Sequence, residues 1–132
     1  MTYDADPPSL YYGTSNNGPW NAAQRPGLNL WTSGVFARRA SDGMAQWAFV
    51  FTPHNEWDYD GVNENILADL PINGVVRKVM VQFNRHGFAY TIDRATGEVL
   101  QAKPVGQRTW ASGLDPVTGI PHGNQAKETA HP

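Results

Sequence analysis

Apolar and aromatic residues gather in short runs broken by Gly, Pro, Asn and Asp, the pattern of short strands joined by tight turns rather than of amphipathic helices. After a polar start, residues 10–12 (Leu10, Tyr11, Tyr12) form the first strand candidate, and residues 14–29 (TSNNGPWNAAQRPGLN) read as loop. Residues 30–37 and 45–51 read as two strands, with Asp42-Gly43 turning the chain between them as a hairpin. Residues 65–70 read as a short helical or irregular stretch. An Asn73-Gly74 turn then leads into strands at 75–83 and 87–92, joined through Asn84-Arg85-His86, and Thr96-Gly97 turns the chain into residues 98–102. Trp110 precedes a last turn at 115–119, and residues 120–132 read as a disordered tail. The pattern predicts an all-β fold with long loops.

One stretch breaks this rhythm. Residues 52–64, TPHNEWDYDGVNE, hold one His, four carboxylates, two Asn and two large aromatics between Val- and Phe-rich runs. Pro53, Gly61 and the Asn and Asp residues oppose a helix, so the stretch reads as a structured loop with locally extended backbone. In extended backbone, side chains two apart point the same way. Asp58 and Asp60 then face one spot, Tyr59 points away, and Trp57 limits water access. Two carboxylates converging beside an indole call for a cation or a shared proton.

Composition narrows the function classes. The 132 residues carry a net charge of −2, so no basic excess points to nucleic acid or to an anionic membrane. With no Cys, redox compartment cannot be read from disulfides. No run approaches the roughly 18 apolar residues of a membrane-spanning helix, and the first twenty residues lack a secretory signal. His54 and His86, both in loops, read as structural or solvated groups. Trp47 reads as packing, Glu56 and Glu64 as surface or supporting groups. Gly13, Gly43, Gly97 and Gly119 read as turn glycines, with no phosphate loop among them.

Repetition is the next signal. Residues 37–47 place Ala, Gly and Trp at relative positions one, seven and eleven; D-x-x-T-G then recurs at residues 93–97 and 115–119. Gly43 and Gly97 lie 54 residues apart, close to the roughly 40–50 residues of a propeller blade. Three unrelated hairpin turns would give the same short pattern.

Taken together, GTSNNGPWN (13–21), RPGLNLWT (25–32), the Ala–Gly–Trp unit, TPHNEWDYDGVNE, NRHGFAYTIDRATGE (84–98) and WASGLDPVTG (110–119) follow an order similar to that of the PQQ-dependent alcohol dehydrogenases. These are the quinoproteins of the methanol and ethanol dehydrogenase type. The repeated unit resembles that family's tryptophan-docking motif, which ties together the blades of an eight-bladed propeller. The resemblance implies that residues 1–119 form about two to three blades of such a propeller.

It also implies roles, one position at a time. Asn16 falls on the metal-ligating Asn. Asp58, 42 positions later, falls on the catalytic carboxylate. Arg85 falls on the Arg that hydrogen-bonds the quinone oxygens, although Asn84 and His86 replace the usual Asp and Asn on either side. Asp60 resembles the extra carboxylate of lanthanide-using members, where calcium-using methanol dehydrogenases carry a small residue. The implied chemistry is oxidation of a primary alcohol: Asp58 takes the hydroxyl proton and hydride passes to PQQ, which is bound to calcium or a lanthanide. Asn16, Asp58 and Asp60 ligate that ion. A c-type cytochrome as electron acceptor and a periplasmic location follow from the same resemblance. The family's remaining metal-ligating Glu and most cofactor contacts fall outside these 132 residues, so the chain reads as a fragment needing the rest of the propeller. A non-catalytic propeller-repeat scaffold and a calcium-binding β domain without quinone share the same residues.

Overall fold

The computed structural model describes residues 1–123. Strands β1 (Thr2–Ala5), β2 (Pro8–Gly13), β3 (Gly34–Arg39) and β4 (Ala45–Val50) pair in chain order as one antiparallel sheet. Strands β5 (Ile66–Ile72), β6 (Val75–Phe83), β7 (Phe88–Asp93) and β8 (Val99–Pro104) repeat the arrangement. A hairpin of β9 (Ala111–Leu114) and β10 (Pro121–Gly123) follows. Among the described residues the only helical piece is a 3-10 turn, Ala22–Gln24.

The turns fall where their residues demand. Asn73 and Gly74 both have positive φ (51° and 80°), the pairing that lets a two-residue hairpin follow strand twist. Three expectations need correction. Residues 65–70 are not helical or irregular: β5 pairs with β6 from Ile66↔Val81 to Ile72↔Val75. Pro71 is tolerated because β5 is an edge strand, so its missing N–H interrupts no second ladder. The strand expected at 30–37 begins only at Gly34, after a cis peptide at Leu30-Trp31 and positive φ at Asn29 and Ser33. The ladder also runs past residue 119, because β10 occupies Pro121–Gly123, the start of the expected tail. Residues 124–132, the rest of that tail, lie outside the described residues.

The repeated unit is structural as well as textual. Asp93 Oδ1 accepts from the backbone N–H groups of Ala95 and Thr96 (3.0 Å each). Asp115 Oδ1 accepts in the same way from Val117 and Thr118 (2.9 and 2.7 Å). In the first copy Arg39 replaces that Asp, and Asp42 caps the turn from the other side by accepting from the Met44 N–H. Trp47 of this copy lies on Gly97 of the next, where a Cβ would sit 2.8 Å from the indole carbons. Its Nε1 donates to the Arg94 carbonyl, as does the Tyr11 hydroxyl (3.0 and 2.9 Å). The Arg94 side chain, almost fully buried, donates to Asp4 of the first sheet and Asp69 of the second. One residue of the second turn therefore clamps both sheets. Between them pack Tyr11, Val35, Phe49 and Phe51 from one side and Met80, Phe88, Tyr90 and Ile92 from the other.

Candidate functional site

Three loops meet at the predicted site: β2–β3, β4–β5 and β6–β7. Backbone contact holds the first two together. Thr14 N–H donates to the Gly34 carbonyl (2.8 Å), and Gly61 N–H donates to the Thr14 carbonyl (2.9 Å). Such closeness requires absent side chains. A Cβ on Gly13 would lie 2.0 Å from the Gly61 oxygen, one on Gly61 2.3 Å from the Gly34 oxygen, and one on Gly34 2.5 Å from the Phe49 oxygen. Gly13 is thus not the turn glycine expected: it closes β2 and permits backbone to lie on backbone.

The β4–β5 loop is shaped from inside by Asn55, which is fully buried. Its Oδ1 accepts from Trp57 N–H (2.9 Å), an Asx turn. Its Nδ2 donates to the buried Ser33 hydroxyl and to the Tyr59 carbonyl (2.9 and 3.0 Å). Arg25, in the long β2–β3 loop, donates to the Asn55 carbonyl and to Asn29 Oδ1. Tyr59 turns inward, with its ring 5.5 Å from Trp110 and 5.7 Å from Trp57. The backbone is not extended through this point, since Tyr59 N–H donates to the Trp57 carbonyl and turns the chain at Asp58; Tyr59 packs against the core, Asp58 is exposed and Asp60 is half-buried.

Asp60 lies at the centre of the polar network. Its Oδ1 accepts from Asn16 N–H (2.7 Å) and Ser15 Oγ–H (3.0 Å). Its Oδ2 accepts from Arg85 Nη1 at 3.0 Å, and the same nitrogen donates to the Asp58 carbonyl at 3.0 Å. Ser15 Oγ also lies 3.1 Å from Asn16 Oδ1. Asn16, Asp60 and Arg85, far apart in sequence, are therefore brought together directly, and Asp58 joins them through its carbonyl. The Asp58 side chain is exposed, and among the described residues its carboxylate accepts no hydrogen bond.

Below Arg85, a buried amide pair fixes the loop. Gln82 Nε2 donates to the Gly61 carbonyl and Asn65 Oδ1 (3.2 and 3.0 Å), and Asn84 Oδ1 accepts from His86 N–H (3.2 Å). Sequence reasoning assigned no part to Asn55 or Gln82. Their signal was only that of amides beside a loop, and burial is what gives them a role.

His86 is structural, as expected. Its Nε2 meets the Tyr90 hydroxyl at 3.1 Å, its carbonyl accepts from Trp110 Nε1 (2.7 Å), and its ring is sealed under aromatics. Burial pushes its pKa down to about 4 from the ordinary 6.5, and raises that of Tyr90. Between pH 6.5 and about 4 the unfolded chain takes up a proton that the folded chain refuses. Stability present above pH 6.5 is therefore lost as pH falls through that window, by up to about 3 kcal/mol. Urea unfolding at pH 7 and pH 4.5 will show this drop, and His86→Asn will flatten it.

The donor set can be tested against a cation. An amide oxygen and carboxylates are hard oxygen donors, suited to calcium-like ions and not to zinc or copper. Among the described residues no three His, Cys, Asp or Glu side chains converge, so an amide is needed to complete a set here. Asn16, Asp58 and Asp60 offer oxygen donors of the kind that fill a shell of 6–8 around such an ion. The Arg85 guanidinium is half-exposed, paired with Asp60 and hydrogen-bonded to the Asp58 carbonyl.

Residues 1–116 match the model of the PQQ glucose/ethanol/alcohol dehydrogenase β-propeller domain. A putative dehydrogenase XoxF of Paracoccus denitrificans is 50% identical over 118 residues, covering 87% of this chain and 19% of the relative. A lanthanide-dependent methanol dehydrogenase of Methylorubrum extorquens is 47% identical, with the same coverage of 87% and 19%. Among solved structures, a europium-containing methanol dehydrogenase superposes with a TM-score of 0.92 at 43% identity, over 96% of this chain and 22% of that one. The chain spans about a fifth of the length of the relatives it matches.

Proposed function

Because this chain belongs to the PQQ-dependent glucose, ethanol and alcohol dehydrogenase family, as part of its β-propeller domain, we propose that it supplies one side of the active site of a quinoprotein oxidising a primary alcohol. The supporting observation is the single network that joins Asn16, Asp60, Arg85 and the Asp58 backbone. In this reading Asn16, Asp58 and Asp60 hold a calcium or lanthanide ion, and Arg85 contacts PQQ. When bound, PQQ and the ion supply a two-electron acceptor and Lewis acidity.

The chain's own residues do the rest. Asp58 has an exposed carboxylate free of hydrogen bonds among the described residues, and it takes the proton of the alcohol hydroxyl as general base. Arg85, aimed by the Asp58 carbonyl and Asp60 Oδ2, offers pre-set donors to an oxygen that gains negative charge. Trp57, Tyr59 and Trp110 form an apolar wall that limits water on one side. Asp60 adds negative charge, and Coulomb attraction scales with the ion's charge at fixed distance, so the site favours a trivalent over a divalent ion. The remainder of the propeller, a c-type cytochrome as electron acceptor and a periplasmic location complete the proposal.

The test is dye reduction. Joined to the rest of the propeller and supplied with PQQ and a lanthanide, the protein will reduce an artificial electron acceptor when a primary alcohol is added. PQQ binding without reduction, across calcium, lanthanides and a series of primary alcohols, would count against it.

A further inference from the structure

We propose that the cleft between the β6–β7 and β8–β9 loops binds a small oxyanion, a carboxylate or a phosphate, on Arg108. This goes beyond the quinone and metal reading, in which Arg108 has no part. The cleft has a volume of about 330 Å³, and its walls include Tyr59, Arg85, Gly87, Gln107, Arg108 and Trp110. Among the described residues two arginines and no acidic side chain line it.

Arg108 is half-buried and carries an unmatched charge. Its guanidinium carbon lies 4.6 Å from the centre of the Phe88 ring, and Nη2 donates to the Ser112 carbonyl at 2.9 Å. Among the described residues no carboxylate pairs with it. A guanidinium carries five N–H donors. This one spends a single donor on a neutral carbonyl, and its Nε, sealed from solvent, meets no acceptor. Ring and carbonyl thus hold the side chain in place without neutralising it. Drawing a charge partly out of water without a partner costs free energy, which an arriving anion offsets. The guanidinium fork suits the paired oxygens of a carboxylate or phosphate. Arg85 adds to the pull: Asp60 and the Asp58 carbonyl occupy its Nη1, while Nε and Nη2 have no acceptor among the described residues.

Calorimetric titration of the full chain with inorganic phosphate and with acetate, at an ionic strength held by sodium chloride, needs neither quinone nor metal. Saturable binding at one site is the expected result. Tighter phosphate assigns a phosphorylated ligand, and tighter acetate assigns a carboxylate. Arg108→Gln should weaken the tighter anion about tenfold, the worth of a hydrogen bond to a charged group. Arg108→Lys, which keeps the charge and loses the fork, should weaken it less. Because Arg108→Gln also gives up packing on Phe88, Gln107→Glu serves as the second variant. Its side chain is exposed, so the change places a carboxylate in the cleft without touching the core, and it should weaken binding as much. No saturable heat from either anion, or binding that either Arg108→Gln or Gln107→Glu leaves unchanged, overturns the proposal.

Discussion

In the assembled dehydrogenase, Asp58→Asn will lower dye reduction by about a thousandfold, within the roughly 10²–10⁴-fold range of general acid–base catalysis. The amide has the shape of the carboxylate but is not a base at neutral pH. The Asp58 side chain is exposed and accepts no hydrogen bond among the described residues. Its carbonyl, which holds Arg85, is backbone and survives the change. The fold should therefore be untouched, with stability within about 0.5 kcal/mol of wild type. Asp60→Asn should differ, because it removes the charge that pairs with Arg85. Reduction by Asp58→Asn within tenfold of wild type would take the base role away from this residue.

The largest effect on stability is expected at Gly13. An alanine methyl there would meet the Gly61 carbonyl oxygen at 2.0 Å and the Gly61 carbonyl carbon at 2.5 Å. Both are backbone atoms, so no rotamer change relieves the clash. Either β2 or the β4–β5 loop must move, and each is tied by the Gly61–Thr14 and Thr14–Gly34 backbone bonds. Overpacking costs typically 1–3 kcal/mol and more where backbone must shift, so Gly13→Ala should cost about 3 kcal/mol or more in urea unfolding. The displaced loop carries Asp58 and Asp60 away from Asn16. An unchanged unfolding midpoint would show that the two loops do not depend on this contact.

Much of this was legible in the sequence, for reasons that differ by element. Strand β6 was read with its bounds because an apolar-rich run stands between two unambiguous turns, Asn73-Gly74 and Asn84–His86. The D-x-x-T-G turns were legible because Asp capping its own following N–H groups is local chemistry. Strand β5 was hidden because Asp69 and Pro71 argue against a strand, and only its place at the sheet edge resolves the conflict. The packing of Gly13, Gly34 and Gly61 could not be read, since a close approach between distant backbones leaves no local mark. Asn16 and Arg85 were singled out through the order of motifs along the chain, and Asp58 and Asp60 first through their spacing in the polar loop.

We propose above all that Asn16, Asp58 and Asp60 converge on one hard cation. Its most direct test is the metal content of the intact protein, by inductively coupled plasma mass spectrometry, after growth with calcium and lanthanides together. One equivalent of lanthanide, lost in Asp60→Ala, is the predicted result. Calcium alone would contradict the preference assigned to Asp60, and no bound metal would contradict the site.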